Sequence, residues 1–229
     1  MLELFFPPLC FACGSRTHSQ QQLCHECLGK LRYLTPPWCS LCGIPQSFQG
    51  LCLNCMNTKS VPLNQIRSVF IYEEPLRKLI HQWKFKDHPE LSAFFGRQLI
   101  LFTQLYLPEK PWDIIIPVPL HRIREREREY NQSYLLAQML SQSLGIPLSS
   151  ACLKRVRHTP FQSSLTQTAR RENLGSAFWA DGEAMGGLRI LLIDDLYTTG
   201  ETLHQSASSL REKGALQVTG LTLARTLLT

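Results

Sequence analysis

From residue 67 onward, the chain alternates short apolar runs with stretches in which apolar side chains recur three and four positions apart. Short apolar runs are typical of buried strands, and the three-and-four spacing is typical of helices. The predicted strands cover residues 67–72, 112–119, 187–193 and 217–224, and the predicted helices cover 76–83, 91–105, 134–144 and 203–210. The order β-α-α-β-α-loop-β-α-β favours an α/β fold with a doubly wound, mostly parallel sheet.

The strand at 187–193 runs into a segment with candidate ligand chemistry. Asp194 and Asp195 follow the apolar run, and a Thr-Thr-Gly turn precedes the next helix. Open α/β sheets bind ligands at the carboxyl ends of their strands, and a turn at a helix N-terminus holds phosphate through backbone N–H groups. We therefore expect the acids to hold ribose hydroxyls and the turn to hold a 5′-phosphate; the alternative is a solvated acidic turn. The turn comprises Thr198, Thr199, Gly200, Glu201 and Thr202.

This segment closely resembles the signature that binds 5-phosphoribosyl-1-pyrophosphate (PRPP) in type I phosphoribosyltransferases. In that signature, four apolar residues and two acids are followed by two variable residues and Thr-Thr-Gly-x-Thr. Residues 190–202 contain all of these elements in order. The resemblance implies that Asp194 and Asp195 act in catalysis and that Mg²⁺ binds together with PRPP.

Eight of the nine cysteines lie in the first 55 residues and form four Cys-x-x-Cys pairs. Two such pairs complete a tetrahedral four-sulfur site, so the spacing predicts two structural Zn²⁺ ions. A disulfide framework is the competing interpretation, but cytosolic thiols stay reduced. Sequential pairing and a cross-braced arrangement both remain open. The cysteines are Cys10 with Cys13, Cys24 with Cys27, Cys39 with Cys42, and Cys52 with Cys55.

The cysteine-rich segment and the α/β segment predict two domains. Residues 1–58 are expected to form a double zinc ribbon, and residues 66–229 the α/β domain, with a polar linker between them. Gly14 and Gly43 each follow a Cys-x-x-Cys pair, where glycine suits a turn that directs backbone N–H groups at the sulfurs. Lys84 and Lys86 follow the first helix of the α/β domain and are predicted to lie at a solvated helix end.

Composition and charge narrow the class of protein further. No apolar run approaches the ~20 residues that span a bilayer, and the N-terminus lacks a basic leader with a long apolar region, so we expect a soluble cytoplasmic protein without membrane insertion. The formal net charge is +6, and residues 130–171 contain no Asp or Glu. A basic stretch of this kind attracts polyanions such as nucleic acid or pyrophosphate; the alternative is a solvated basic loop.

Three sequence blocks and the cysteines together resemble the ComF/GntX family of bacterial proteins over nearly the whole chain. The blocks are 116–121 with 128–132, 153–162 with Arg170, Arg171 and Asn173, and the PRPP signature. The resemblance implies a double zinc ribbon on a phosphoribosyltransferase fold and a role in natural transformation, the uptake of single-stranded DNA. For the GntX branch it implies a role in gluconate metabolism. The family usually has Gly where this chain has Glu129, and this difference disfavours close backbone approach to pyrophosphate at that turn.

The same resemblance assigns roles to residues outside the signature. Pro119 and His121 belong to the loop that faces pyrophosphate, and a mobile hood closes over the site. Implied partners are PRPP or a related phosphosugar, single-stranded DNA, and helicases or processing proteins of DNA uptake. The hood residues, which also face nucleic acid, are Arg155, Arg157, Thr159, Gln162, Arg170, Arg171 and Asn173.

Two functions of different classes remain open from the sequence. The first is an enzyme that transfers phosphoribose onto an acceptor that the sequence does not identify. The second is a nucleic-acid-handling factor that retains PRPP binding for regulation or as a vestige. A purine or pyrimidine salvage enzyme would not need two zinc ribbons, which favours the second function.

Overall fold

The computed structural model describes residues 8–18, 21–58, 61–85, 88–109, 111–120, 130–156, 177–181 and 185–227. Six strands and six helices lie in this part of the chain. The strands are β1 (Gln65–Ile71), β2 (Ile114–Pro117), β3 (Leu153–Arg155), β4 (Phe178–Ala180), β5 (Arg189–Tyr197) and β6 (Gln217–Arg225). The helices are α1 (His25–Gly29), α2 (Leu53–Met56), α3 (Leu76–Phe85), α4 (Leu91–Tyr106), α5 (Gln132–Leu144) and α6 (Glu201–Glu212).

Strands β1, β6, β5 and β2 form a four-stranded sheet in that order, and every pair in it is parallel. This arrangement confirms the predicted α/β class and the predicted order of elements. Residues 190–193 of β5 are fully buried, as expected for a strand covered on both faces. Helices α3, α4 and α5 pack on one face against Leu191 and Ile193, while α6 packs on the other against Ile190 and Leu192.

Strand β5 is longer than the sequence pattern predicted. The apolar run indicated an end at Ile193, but the strand continues through Tyr197 and carries both acids within it. The reason is its neighbour: β6 extends alongside, so that Asp194 pairs with Thr222 and Tyr197 pairs with Arg225. Backbone hydrogen bonds to a neighbouring strand, which are not visible in a local apolar pattern, set the end of β5.

A short antiparallel hairpin, β3–β4, was not predicted. Leu153 pairs with Ala180 and Arg155 with Phe178, so the hairpin brackets the basic segment 157–176, which lies outside the described residues. Its buried side chains, including Leu153 and Phe178, join the core on the α6 face of the sheet. Strands of three residues are too short to give a periodic signal.

The cysteine-rich segment packs directly on the free edge of β1. Tyr33 forms an antiparallel bridge with Phe70, flanked by backbone hydrogen bonds of 2.8 Å from Leu34 to Val69 and 2.9 Å from Ile71 to Arg32. Farther along β1, the Ile66 N–H donates to the Leu41 carbonyl at 2.7 Å. These bonds satisfy polar groups that an edge strand would otherwise leave open to pairing with another chain.

Apolar and aromatic contacts reinforce this docking. Trp38 lies with its ring centroid 5.9 Å from that of Phe102 and 5.2 Å from that of Tyr106, both on α4. The buried Arg67 guanidinium stacks over Trp38 at 5.2 Å and donates to the carbonyl of Ser40 at 3.1 Å. Within the described residues, no helix is both long and apolar enough to cross a lipid bilayer.

Substitution of two glycines, each directly after a Cys-x-x-Cys pair, tests how closely the second cysteine cluster packs against β1. Gly14 and Gly43 both have positive φ, +78° and +72°, but a Cβ on Gly43 would lie 2.5 Å from the Ile66 carbonyl oxygen, whereas one on Gly14 meets nothing within 4 Å. Gly14→Ala should therefore cost only the left-handed strain of about 1–2 kcal/mol. We expect Gly43→Ala to cost at least ~1 kcal/mol more, because backbone has to move. Urea unfolding of the zinc-replete variants measures both; equal losses would contradict the docking geometry.

Candidate functional site

The eight N-terminal cysteines form two separate clusters. Within each cluster the four sulfur atoms lie within 4.8 Å of one another, and all are free thiols. The distances from Cys13 to Cys24 and from Cys42 to Cys52 are 3.7 and 3.8 Å between sulfurs. A tetrahedral zinc with bonds of about 2.3 Å places its sulfurs about 3.8 Å apart, so the clusters fit Zn²⁺. Sequential pairing is confirmed and the cross-braced alternative is wrong: the clusters are Cys10, Cys13, Cys24 and Cys27, and Cys39, Cys42, Cys52 and Cys55.

Backbone donors prepare the second cluster for a metal. Burial alone would raise the pKa of Cys39, but backbone N–H groups, foremost that of Cys52 at 3.3 Å, lower it to about 6. Burial raises the pKa of Cys55. The turn at Gly43 closes with a 3.0 Å hydrogen bond from its N–H to the Cys39 carbonyl. A divalent cation would offset the cost of ionising the buried thiols, and four protein ligands leave no open coordination position for chemistry.

The second candidate site lies where the parallel strands end together, at the carboxyl edge of the sheet. Strand β5 brings Asp194, Asp195 and the following turn to this edge, and β2 brings Pro117 and Pro119. Asn131 joins β2 to the next helix: its amide donates to the Val118 carbonyl at 3.1 Å, and its oxygen caps α5 by accepting from the Ser133 N–H at 2.9 Å. The second half of the first family block therefore fixes the β2 loop against the start of α5.

Asp194 is buried and is used to hold its surroundings in place. Its Oδ1 accepts from the Ser133 hydroxyl at 3.0 Å and from the Asp195 N–H at 2.9 Å. Burial, and then the neighbouring charge of Asp195, raise the pKa of Asp194 to about 7, although the Asp195 N–H, Lys84 and Ser133 all oppose the rise. Burial thus favours the neutral form of Asp194, and its Oδ1 contacts tie it to Ser133 and to the backbone of Asp195.

Asp195 has a partner that the sequence interpretation missed. The Lys84 ammonium lies 2.5 Å from Asp195 Oδ2, and the two side chains are only 14% and 13% exposed. The prediction of a solvated helix end is therefore wrong for Lys84; Lys86 lies outside the described residues. Lys84 follows the buried Ile80 by four positions, which puts the two on the same face of α3. That spacing was the available signal.

The turn after β5 has the form expected of a phosphate cradle. Gly200 has φ +81° and opens α6, and the Glu201 N–H reaches the Thr199 hydroxyl at 3.4 Å. A Cβ on Gly200 would lie 2.5 Å from the Tyr197 hydroxyl oxygen. Only glycine fits this turn, because both the backbone angle and the packing against Tyr197 exclude a side chain. Thr198, Thr199 and Glu201 are exposed, and Thr202 is half-buried.

Tyr197 also connects this turn to the second cysteine cluster. The Arg225 guanidinium stacks over the Tyr197 ring at 4.9 Å and donates to the Cys42 carbonyl. The Thr226 N–H donates to the Tyr197 carbonyl at 3.0 Å. A continuous set of contacts therefore leads from a candidate zinc site to the candidate phosphate turn.

The hood residues are described only in part. Arg155 lies on β3, with its guanidinium 5.4 Å from the centre of the Phe178 ring. His121 of the β2 loop lies outside the described residues. So do the other predicted hood residues, which are Arg157, Thr159, Gln162, Arg170, Arg171 and Asn173.

The donor set at the carboxyl edge suits Mg²⁺ better than a softer metal. Carboxylate oxygens are the protein ligands that Mg²⁺ takes, usually one or two of them, with water and substrate phosphates completing the octahedron. Asp195 can be such a ligand, whereas Asp194 already shares Oδ1 between two donors. The residues therefore fit an ion that binds mainly through one carboxylate and a phosphate-bearing ligand.

Taken together, the fold and both sites define a protein with an N-terminal double zinc ribbon and a type I phosphoribosyltransferase-like α/β domain. Residues 1–56 match the family model of the double zinc ribbon domain. The chain is 35% identical over 212 residues to competence protein ComFC of Bacillus subtilis, covering 90% of this chain and 85% of that protein. It is 35% identical over 233 residues to competence protein F of Haemophilus influenzae, covering 96% and 99%. The chain belongs to the ComF family.

Other relatives carry a different name. DNA utilization protein YhgH of Salmonella typhimurium is 34% identical over 233 residues, covering 98% of this chain and all of that protein. A purine phosphoribosyltransferase from Pyrococcus horikoshii overlaps 60% of this chain and 79% of its own at 21% identity, with a TM-score of 0.39. That overlap is too loose to carry an argument, so the fold is assigned from the strand order and the signature at β5.

The raised pKa of Asp194 predicts how stability depends on pH in the protein without ligand or Mg²⁺. Unfolded Asp titrates near 3.9, so between about pH 4 and 7 the folded state binds the extra proton, and the free energy of unfolding falls as pH rises. Asp194→Asn removes this titration. We expect the free energy of unfolding of the variant, relative to wild type, to rise as the pH increases from about 5.5 to 7 in urea unfolding.

Asp113→Asn is the matched control for that experiment. The Arg189 side chain and N–H lower the pKa of Asp113 to about 2, so Asp113 does not titrate in this range. Its stability difference from wild type should not change with pH. A constant difference for Asp194→Asn as well would contradict the assigned protonation of Asp194.

Proposed function

We propose that this protein binds PRPP with Mg²⁺ at the carboxyl edge of its sheet and single-stranded DNA on its basic surface, and that it acts in the cytoplasmic handling of DNA during uptake. The names of its relatives, competence proteins and DNA utilization proteins, support the DNA role. The PRPP role is supported above all by one observation: Asp195 and the Gly200 turn occupy the same strand end.

The PRPP site assigns a distinct task to each element. Asp195 binds ribose hydroxyls and Mg²⁺, directly or through water, while Asp194 orients it through the Asp195 N–H. The turn at residues 198–202 binds the 5′-phosphate through backbone N–H groups at the start of α6. Pro119 and His121 belong to the loop facing pyrophosphate. Mg²⁺, when bound, would neutralise charge on the diphosphate.

We expect the DNA site on the surface that includes the β3–β4 hairpin. Residues 130–171 contain several basic residues and no Asp or Glu. Arg155, one of these basic residues, lies on β3 of the hairpin. On the same hairpin, Lys154 lies 5.5 Å from the centre of the exposed Trp179 ring. A cation beside an exposed aromatic ring suits single-stranded nucleic acid, because bases stack on such rings whatever their sequence.

The free thiols support the proposed cytoplasmic location. Nine cysteines are free, and eight of them form the two metal clusters. Such sites persist where thiols stay reduced, as in the cytosol. Phosphoribosyl transfer onto an acceptor would be an additional activity of the same PRPP site, and release of pyrophosphate in the presence of candidate acceptors would detect it.

PRPP binding is tested with Asp195→Asn. Removal of the carboxylate charge should weaken Mg²⁺-dependent PRPP binding at least ~10-fold in calorimetric titration, because charged hydrogen bonds contribute ~1.5–3 kcal/mol each. Asp181→Asn, at an exposed position outside the site, should bind as wild type. Unchanged PRPP affinity in folded Asp195→Asn would rule out the assigned site.

DNA binding is tested through its salt dependence. Binding to single strands of mixed sequence should weaken with salt by about 0.7 in log K per log unit of salt for each phosphate neutralised. Arg155→Ala combined with Arg157→Ala should flatten this slope by roughly one unit. Arg32→Ala combined with Arg77→Ala makes the same charge change at exposed positions paired with Glu73 and Glu74, and should leave the slope unchanged. No retention of DNA at low salt would refute the proposal.

A further inference from the structure

The ion pair between Lys84 and Asp195 occupies the carboxylate that the candidate PRPP site would offer to Mg²⁺. Lys84 Nζ lies 2.5 Å from Asp195 Oδ2, and both side chains are largely withdrawn from water. A buried ion pair is a poor source of stability, since the lost hydration of both charges offsets their attraction. A pair of this kind at a strand end that carries a ligand signature therefore calls for a functional explanation.

Hydrogen bonds of the neighbouring Trp83 anchor the end of α3, whereas the Lys84 side chain is long and has several rotatable bonds. The Trp83 indole N–H donates to the Ser92 hydroxyl at 2.8 Å, and the Trp83 carbonyl accepts from the Tyr130 hydroxyl. Tyr130 directly precedes Asn131, which binds the β2 loop. The end of α3 is thus linked, through Tyr130 and Asn131, to the loop that follows β2. Four rotatable bonds then allow the ammonium to move by several ångströms without any change in the fold.

Charge balance shows what would make the ammonium move. In the ligand-free protein, the Lys84 ammonium neutralises the Asp195 carboxylate, so Asp195 presents little net negative charge to a free metal ion. A ligand that brings both a divalent cation and diphosphate oxygens changes both partners at once. The cation can replace the ammonium at Asp195, and the ammonium gains phosphate oxygens as new acceptors.

We propose that Lys84 is an exchangeable cation: it masks Asp195 in the ligand-free protein and transfers to the diphosphate oxygens when a magnesium complex of a ribose diphosphate ester binds. This inference rests on the proposed PRPP site and deepens it. Lys84 thereby couples metal and diphosphate binding, so that neither Mg²⁺ alone nor the diphosphate alone binds as tightly as the two together.

The test uses the zinc-loaded full chain with Lys84→Met, which keeps the apolar stem and removes the ammonium. Mn²⁺ alone should bind at least ~3-fold more tightly than in wild type, because Asp195 has lost its cation. Mg²⁺-PRPP should bind at least ~10-fold more weakly, because the diphosphate has lost its own. Lys84→Arg retains the charge and should keep PRPP affinity within ~3-fold of wild type. Lys78→Met, at an exposed position of the same helix, should alter neither affinity.

The combination of tighter Mn²⁺ binding and weaker Mg²⁺-PRPP binding distinguishes this role from a structural ion pair, whose loss would lower the urea midpoint without removing a contact to the diphosphate. Unchanged Mn²⁺ or PRPP affinity in folded Lys84→Met overturns the inference and leaves the PRPP site standing. If wild type itself fails to bind PRPP, the proposed function fails and this inference fails with it. If Lys84→Met does not fold, Lys84→Gln, which keeps hydrogen-bond donors for Asp195, is measured in its place.

Discussion

The docking of the cysteine-rich segment on β1 is the constraint on which the rest of the structure depends. Strand β1 lies at one edge of a four-stranded parallel sheet, and three backbone hydrogen bonds between this strand and the segment satisfy polar groups on its open side. Each four-thiol cluster is a small unit with little core of its own, so zinc would supply much of its folding free energy. Metal binding would therefore stabilise not only the ribbons but also the strand that aligns β6, which in turn fixes β5 and its two acids.

The same docking reaches the candidate ligand site by a second route. At the far end of β6, the Arg225 guanidinium bridges a carbonyl of the second cysteine cluster and the Tyr197 ring, which packs under the Gly200 turn. On the other side of β5, Lys84 and Ser133 hold the two acids from α3 and α5. The site is thus assembled from elements far apart in sequence, and the Lys84 ammonium is the ion-pair partner of Asp195 within it.

Local patterns in the sequence predicted those features that depend on residues close together in the chain. Apolar periodicity located the four parallel strands, and the Cys-x-x-Cys spacing located both metal clusters, because each depends on residues a few positions apart. Features that depend on distant residues could not be predicted in this way. The end of β5 is set by pairing with β6. Lys84, the ion-pair partner of Asp195, precedes it by 111 positions in the chain (195 − 84). The pairing of the cysteines likewise needed the three-dimensional structure.

Removal of one zinc ion, followed by measurement of the sheet, tests most directly whether the ribbon supports the sheet edge and the site. Cys39→Ser should lower the zinc content from about two ions per chain to about one. Hydrogen–deuterium exchange should then show faster exchange in β1, residues 65–71, and in the turn at 198–202, while α5, residues 132–144, exchanges as in wild type. Unchanged protection of β1 and of the turn after loss of the second zinc would contradict the claim that the ribbon supports the sheet edge and the site.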